Sequence, residues 1–264
     1  DQMLLQPMGG TRFTMHRLMR QYALQQLQTM PAIAYAARER HCLYFVNFLK
    51  QLDQQPPLNA QMFEAIQEEM GNIYCSWDWA IEQGRFALLC ELLPPLVHVW
   101  TLAGSHREIV TILSQSVDNL RKRLATQNVP TLELQQLMAQ LLLEQAYFYI
   151  TTAHVEGVKP LIQEALHLAQ TIGDVTLTTT AYLRSGDAAW AQGDYTQHRA
   201  AYEQALMLAR AAGRRQSEVH CLSNLGMNYD LRGEYGRAIH CYEAALALTR
   251  QIGDREKENV IYNN

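Results

Sequence analysis

The residues of this chain that could do chemistry are its cysteines, its histidines and its closely spaced carboxylates. The five cysteines form no C-x-x-C pair, and they lie in apolar segments where a thiol behaves as a small hydrophobe. They predict a reduced, cytoplasmic compartment and no zinc site. Among nine histidines, His220 and His240 fall closest to a metal-binding arrangement, but we favour surface histidines there. Pairs such as Glu68-Glu69 and Glu256/Glu258 are more typical of solvated helix faces than of acid/base dyads.

Motifs for catalysis and for nucleic-acid or membrane binding are missing from the sequence. It contains no G-x-x-x-x-G-K-[ST], H-E-x-x-H or G-x-S-x-G motif, so we predict no catalytic site, no metal and no bound cofactor in this chain. The net charge of −4 argues against nucleic-acid binding, and the basic residues 121–123 are better explained by a helix end. The apolar segment 87–104 is interrupted by Pro94 and Pro95. It predicts a buried helix pair or a kinked helix rather than a membrane span.

The elements that position these residues repeat along the sequence. At an offset of 40 residues, Gly186 aligns with Gly226, Tyr195 with Tyr235, Tyr202 with Tyr242 and Gly213 with Gly253. A weaker copy lies one step earlier, where Ala165 aligns with Ala205. Each copy divides into two helices at Gly and Asp residues, which favour helix ends and starts respectively. In the last copy we predict helices over Cys221–Arg232 and Tyr235–Gln251, and we expect an all-α fold.

The repeated residues resemble the tetratricopeptide repeat (TPR) pattern of W-x-x-L-G-x-x-Y followed by spaced alanines and an aromatic residue. The last copy keeps Leu225, Gly226, Tyr229, Ala238 and Tyr242 of that pattern. The family's usual period is about 34 residues, so each helix here would gain about one turn. The resemblance implies a right-handed α-α superhelix of long-helix repeats over residues 131–264. The chain is expected to end inside the first helix of a further repeat, as a fragment of a longer protein.

In a TPR array the first helix of each repeat lines the concave side, where partners bind. The inward positions by this pattern include Gln140, Glu144 and His220. We predict a binding surface for a protein, a peptide or a small-molecule inducer, made of the residues Tyr147, Arg184, Asp187, Trp190, Asn224, Met227, Asn228 and Asp230. Arg184, Asn224 and Asn228 suit a peptide backbone or a carboxylate. Tyr147, Trp190 and Met227 are apolar anchors, although Trp190 could instead pack against a neighbouring repeat.

The first 30 residues carry a different signal. Residues 3–16 predict a β-hairpin with a turn at Gly9-Gly10, and an amphipathic helix follows over residues 18–27. The hairpin, Met15-His16 and the helix resemble the end of the winged-helix domain in bacterial STAND signalling ATPases of the NB-ARC class. The resemblance implies an upstream nucleotide-binding domain with ATP or ADP in the parent protein, and it makes His16 a candidate nucleotide sensor. Arg17 stands where that family has Asp. Alternatively, His16 simply caps the end of a strand.

Residues 31–130 predict a helical connector with a degenerate repeat, joined to the regular array around residues 126–131. Three functions remain open. The leading hypothesis is a sensor module for protein-protein interaction or inducer binding in a signal-transduction ATPase that regulates transcription. The second is a constitutive TPR scaffold that binds partner peptides without nucleotide control. The third is an enzyme built on helical repeats, against which the missing motifs weigh.

Overall fold

The computed structural model describes residues 5–9, 12–53, 60–103, 106–126 and 130–262. It begins with a hairpin in which strand β1 (Leu5–Gly9) pairs antiparallel with β2 (Arg12–Met15). Leu5 lies opposite Met15, and the register shifts between Pro7 and Gly9. The predicted hairpin is thus confirmed, while Gly10 of its predicted turn lies outside the described residues.

The chain divides into two compact units, residues 1–95 and 96–264. In the first unit, helices α1 (Arg17–Gln28), α2 (Pro31–Asp53) and α3 (Ala60–Gln83) follow the hairpin. Helix α2 packs against α1 and α3, and the buried side chains of the unit include Phe45, Leu49, Ile66, Ile73 and Trp77. Helix α4 (Phe86–Ala103) contains the boundary between the units, directly after Pro94 and Pro95. The apolar segment therefore forms one helix that includes both prolines.

The second unit is a succession of helices in which each packs against the next. These are α5 (His106–Thr126), α6 (Leu132–Thr151), α7 (Val158–Ile172), α8 (Val175–Ala191), α9 (Tyr195–Ala211), α10 (Arg215–Leu231), α11 (Tyr235–Ile252) and α12 (Arg255–Tyr262). Helix α6 also contacts α8, which places the first helices of successive repeats side by side. This arrangement is the predicted all-α, TPR-like solenoid.

Glycine and aspartate set several of the ends of the repeat helices, as predicted. Gly253 ends α11 in the left-handed conformation with φ of 79°, and Asp254 accepts a hydrogen bond from the amide of Lys257 at 3.0 Å. Asp174 caps α8 in the same way. Ala153 takes the place of the turn glycine in the first copy, and it too is left-handed, with φ of 58°. The forty-residue register therefore imposes this backbone even where glycine is absent.

Two glycines allow the helices within a repeat to approach closely. A Cβ atom added at Gly186 would lie 2.5 Å from ring atoms of Tyr202, and one added at Gly226 would lie 2.6 Å from the ring of Tyr242. Each tyrosine thus occupies the space left by a missing side chain on the partner helix. The glycines therefore permit this close approach, and each contact lies inside one repeat.

One helix start was placed wrongly from the sequence. Helix α10 begins at Arg215, six residues before the predicted start at Cys221. Its first turns are polar, and Arg214 provides no side-chain cap, so neither an apolar period nor an aspartate marks the start. Within the described residues, no helix is long and apolar enough to cross a membrane.

Candidate functional site

The first helices of the repeats bring charged side chains together on what we call the first-helix face, formed by α6, α8 and α10. Arg184 on α8 lies between two carboxylates. Its Nη2 is 3.9 Å from Oε2 of Glu144 on α6, and its Nη1 is 3.5 Å from Oδ2 of Asp187 one turn further along α8. The guanidinium carbon lies 4.3 Å from the centre of the Tyr147 ring, within the range of a cation–π contact. These contacts join two repeats.

A buried tyrosine extends this group of residues towards the next repeat. The Tyr202 hydroxyl on α9 donates a hydrogen bond to Asp187, and its oxygen is 3.4 Å from Nε2 of His220 on α10. Burial and the neighbouring Asp187 carboxylate raise the pKa of Tyr202, so the phenol stays protonated. We call Glu144, Arg184, Asp187, Tyr202 and His220, together with Gln140 one turn before Glu144 on α6, the inner-face network.

Part of the network lacks hydrogen-bond partners. Among the described residues, buried polar atoms without a partner include Oε1 of Gln140, Oε2 of Glu144 and Nε of Arg184. Gln140 and Glu144 lie one turn apart on α6, so their side chains share a face of the helix. Burial raises the pKa of Glu144, and the nearby Arg184 partly offsets this effect. Buried polar groups in proteins usually have partners, so this region favours a polar occupant.

Asn228 does not belong to the binding surface. Its side chain is fully buried, and its amide nitrogen donates to the carbonyl of Tyr195 at 2.8 Å and lies 3.0 Å from Nδ1 of His198. The asparagine therefore joins α10 to α9 and is not available to a ligand. Burial lowers the pKa of His198 to about 4, which keeps the imidazole neutral. The prediction for Asn228 fails because its side chain turns towards the preceding repeat.

Trp190 packs against the second helix of its own repeat. Its ring centre is 4.9 Å from that of His198 and 5.3 Å from that of Tyr195. The indole is half-buried, so part of it remains available for contact. The sequence left open whether Trp190 packs against a neighbour or faces the groove, and the structure shows packing within the repeat.

The three remaining predicted site residues lie on α10. Asn224 is half-buried and donates from Nδ2 to the carbonyl of His220 at 3.0 Å, which is a contact within the helix. Met227 is half-buried, and Asp230 is exposed. Asp230 also lines an open cavity of about 510 Å³ with Tyr242 and Ile261. Asn224 thus contacts a residue of the network, and Tyr147, Arg184 and Asp187 are part of one set of contacts.

The sequence did not single out Tyr202 or Glu144 as site residues. The sequence marked Tyr202 only as a repeated position aligned with Tyr242, whereas in the structure its hydroxyl donates a hydrogen bond to Asp187. Glu144 stands at an inward position of the repeat pattern, and that position was the available signal. Cys221, next to His220, lies in the same core, where burial raises the pKa of its thiol to about 12. The thiol is therefore protonated near neutral pH and a poor nucleophile.

His16 lies at the start of α1. Its Nδ1 accepts a hydrogen bond from the amide of Leu18 at 3.3 Å, so the imidazole caps the helix. The side chain is exposed. The structural role proposed for His16 from the sequence was a cap at a strand end, and the structure instead shows a cap at a helix start. No group of three or more His, Cys, Asp or Glu side chains that could hold a metal ion occurs in the described residues.

Comparison with known proteins supports the repeat assignment. Residues 177–251 match the family model described as tetratricopeptide repeat. No curated protein sequence matches the chain.

Three solved structures illustrate the likeness of fold. The Rap protein complexed with Competence and Sporulation Factor has a TM-score of 0.58 and 16% identity, over 92% of this chain and 73% of that chain. BtubC (BKLC) from P. vanneervenii has a TM-score of 0.56 and 14% identity, over 83% and 93% of the two chains. A kinesin light chain from Podosopora anserina with TPR-like repeats has a TM-score of 0.56 and 15% identity, over 80% and 95%. The family match and these likenesses place tetratricopeptide repeats at residues 177–251, within a TPR-like helical solenoid.

Proposed function

We propose that this chain is the partner-binding sensor of a STAND-type regulator, and that the first-helix face holds the partner. The main support for this proposal is the inner-face network, which contains buried polar atoms without hydrogen-bond partners. A buried polar group without a hydrogen bond costs about 1–3 kcal/mol. A bound protein, peptide or small inducer that supplies these hydrogen bonds would recover part of that free energy.

Other predicted residues on the first helices suit recognition. Half-buried Tyr147, Trp190 and Met227 offer apolar surface, and exposed Asp230 offers charge at the edge. Interfaces commonly combine a few aromatic anchors with a polar rim. Recognition on this face would be shared by three repeats, so a partner would contact α6, α8 and α10 together.

The regulatory part of the proposal rests on the N-terminal residues. The hairpin, Met15-His16 and α1 follow one another in the order found in the winged-helix domain of STAND proteins. His16 is exposed and therefore accessible to another domain. In the parent protein, His16 would contact bound ADP in the off state. The partner would then shift the population towards the open state, through its higher affinity for that state.

A second function, the constitutive scaffold, is favoured by one observation. The Nδ1 atom of His16 is already the N-cap acceptor of α1, which gives this residue a purpose without any nucleotide. In that case the repeats would bind their partner equally well with or without ADP. Sequencing the complete parent gene separates the two functions at once, because a STAND regulator needs an upstream phosphate-binding loop.

Two substitutions at His16 in the complete parent protein test the nucleotide role. His16→Asn replaces the Nδ1 cap acceptor with an amide oxygen and loses the imidazole, whereas His16→Ala loses the imidazole and any cap acceptor. A nucleotide contact predicts that both variants release ADP about tenfold faster than wild type, as measured with a fluorescent ADP analogue. Faster release from the alanine variant alone would show that His16 acts only as a cap. Unchanged release in both would remove His16 from nucleotide sensing.

A further inference from the structure

We infer that the inner-face network binds a cationic group of a peptide partner, a lysine or arginine side chain or an N-terminal ammonium, at Gln140 and Glu144. The inference rests on the proposed function, since it names the chemistry of the partner held by the first-helix face. It reverses the expectation from sequence that Arg184 would receive a carboxylate.

The charges around Arg184 favour a bound cation. Glu144 and Asp187 are two carboxylates set against the single guanidinium of Arg184, at 3.9 and 3.5 Å. His198 is buried and neutral, so it does not offset them. Lys257, a cation on α12, is paired with Asp254 at 3.6 Å. Burial also lowers the pKa of His220, which favours the neutral form of this imidazole. With Glu144 ionised, the two carboxylates exceed the guanidinium by one negative charge. A partner's cation would stabilise that ionised form against the burial that raises the pKa of Glu144, whereas a partner's carboxylate would be repelled.

The hydrogen-bonding capacity of Gln140 and Glu144 also favours a bound cation. Gln140 and Glu144 each leave a buried oxygen atom without a donor, and both oxygens belong to the same face of α6. An ammonium has three N–H donors and a guanidinium has five, with no acceptor in either group. A partner's carboxylate could not satisfy these oxygens, because it has no hydrogen to donate.

Arg184 shows that this surface already accommodates a guanidinium. Its side chain lies over the Tyr147 ring and beside two carboxylates, which is the environment that a partner's arginine would need. Its unpartnered Nε remains as a donor for a carbonyl oxygen of the same partner. A peptide supplies both a cationic side chain and backbone carbonyls, so it fits the network better than a simple amine does.

The test uses a peptide array probed with the fluorescently labelled chain. Randomised decapeptides are synthesised in three matched sets that differ at one position, which carries arginine, uncharged citrulline or glutamate. We expect wild-type protein to favour the arginine peptides about tenfold over their citrulline partners, and glutamate peptides to bind least. Charge-assisted hydrogen bonds are of a strength consistent with such a ratio.

Two variants and a control assign the preference to the network. Glu144→Gln removes the charge with little change of shape, and it should reduce the arginine preference to about twofold or less. Gln140→Leu removes one acceptor without touching a charge, and it should reduce the preference about threefold. Glu156→Gln alters an exposed carboxylate in the loop before α7, and it should leave the preference unchanged. Circular dichroism confirms that each variant is folded.

The possible results separate this inference from the proposed function. Equal binding of arginine and citrulline peptides, or an arginine preference that survives in Glu144→Gln, would overturn the inference while leaving a peptide-binding face intact. No binding by any peptide would count against both the inference and peptide recognition by the repeats.

Discussion

At the scale of single residues, the second unit depends on a few side chains that connect one helix to another. His198 is the clearest case, because it contacts Trp190, Tyr202 and Asn228 while remaining neutral. Its Nδ1 lies within hydrogen-bonding distance of the Asn228 amide, so the neutral ring accepts that hydrogen bond. Protonation would replace the acceptor with a second donor facing the amide. The stability of this repeat should therefore depend on pH.

We predict that acidification destabilises the chain through His198. Its folded pKa of about 4 lies below the ordinary value of 6.5, so the unfolded chain binds the proton more readily. The neutral His198 ring therefore stabilises the folded state fully above pH 6.5, and this stabilisation is lost as the pH falls from 6.5 towards 4. Between pH 7.5 and 5.0 this loss amounts to about 2 kcal/mol.

Urea unfolding of wild type and His198→Gln at both pH values measures the effect. Glutamine keeps a hydrogen-bonding group but does not titrate, so the variant should lack this part of the pH dependence. An equal pH dependence in the two proteins would show that His198 does not couple folding to protonation.

At the scale of helices, three of the four helix ends predicted in the last copy lie within one residue of the observed ends, because helix ends are set by local features. Gly253 and Asp254 adjoin in sequence, and their conformations do not depend on distant residues. The start of α10 was missed because Arg214 carries no such cap. The network was missed for a different reason. The Tyr202–Asp187 contact joins two helices, and it depends on how each is rotated about its axis.

The close approach of α8 and α9 leads to a second prediction about the stability of the chain. Gly186→Ala should destabilise the chain by about 1–3 kcal/mol, because its Cβ would lie 2.5 Å from the buried Tyr202 ring. Gly236→Ala is the matched control, since nothing lies within 4 Å of a Cβ added there on α11. Alanine is the better helix former, so this variant should be neutral or up to about 1 kcal/mol more stable. Thermal unfolding compares the two.

A Gly186→Ala variant as stable as wild type would show that α8 and α9 can separate without loss. That result would also weaken the view that Tyr202 is held in place to support Asp187. Loss of stability in Gly236→Ala would instead show that the packing around α11 differs from that described.

At the scale of the whole molecule, the repeats convert a periodic sequence into a face that several helices share. The fold class followed from the forty-residue period and from Gly, Ala and Tyr at fixed positions. The residues that form the first-helix face could not be predicted from the sequence so directly. Asn224 and Asn228 are one turn apart, yet one is half-buried near the network and the other is fully buried against α9. A small rotation of α10 about its axis would exchange these roles, and no local sequence pattern indicates that rotation.

Site-specific photo-cross-linking in the parent protein tests whether a partner binds the first-helix face. A benzophenone amino acid replaces either Met227 on the first helix α10 or Met207, which is 57% exposed on the second helix α9. Both proteins are irradiated in their native cells, and the adducts are compared by mass. The proposal predicts a discrete partner adduct from position 227 and none from position 207. Adducts from position 207 alone, or equal adducts from both positions, would contradict it.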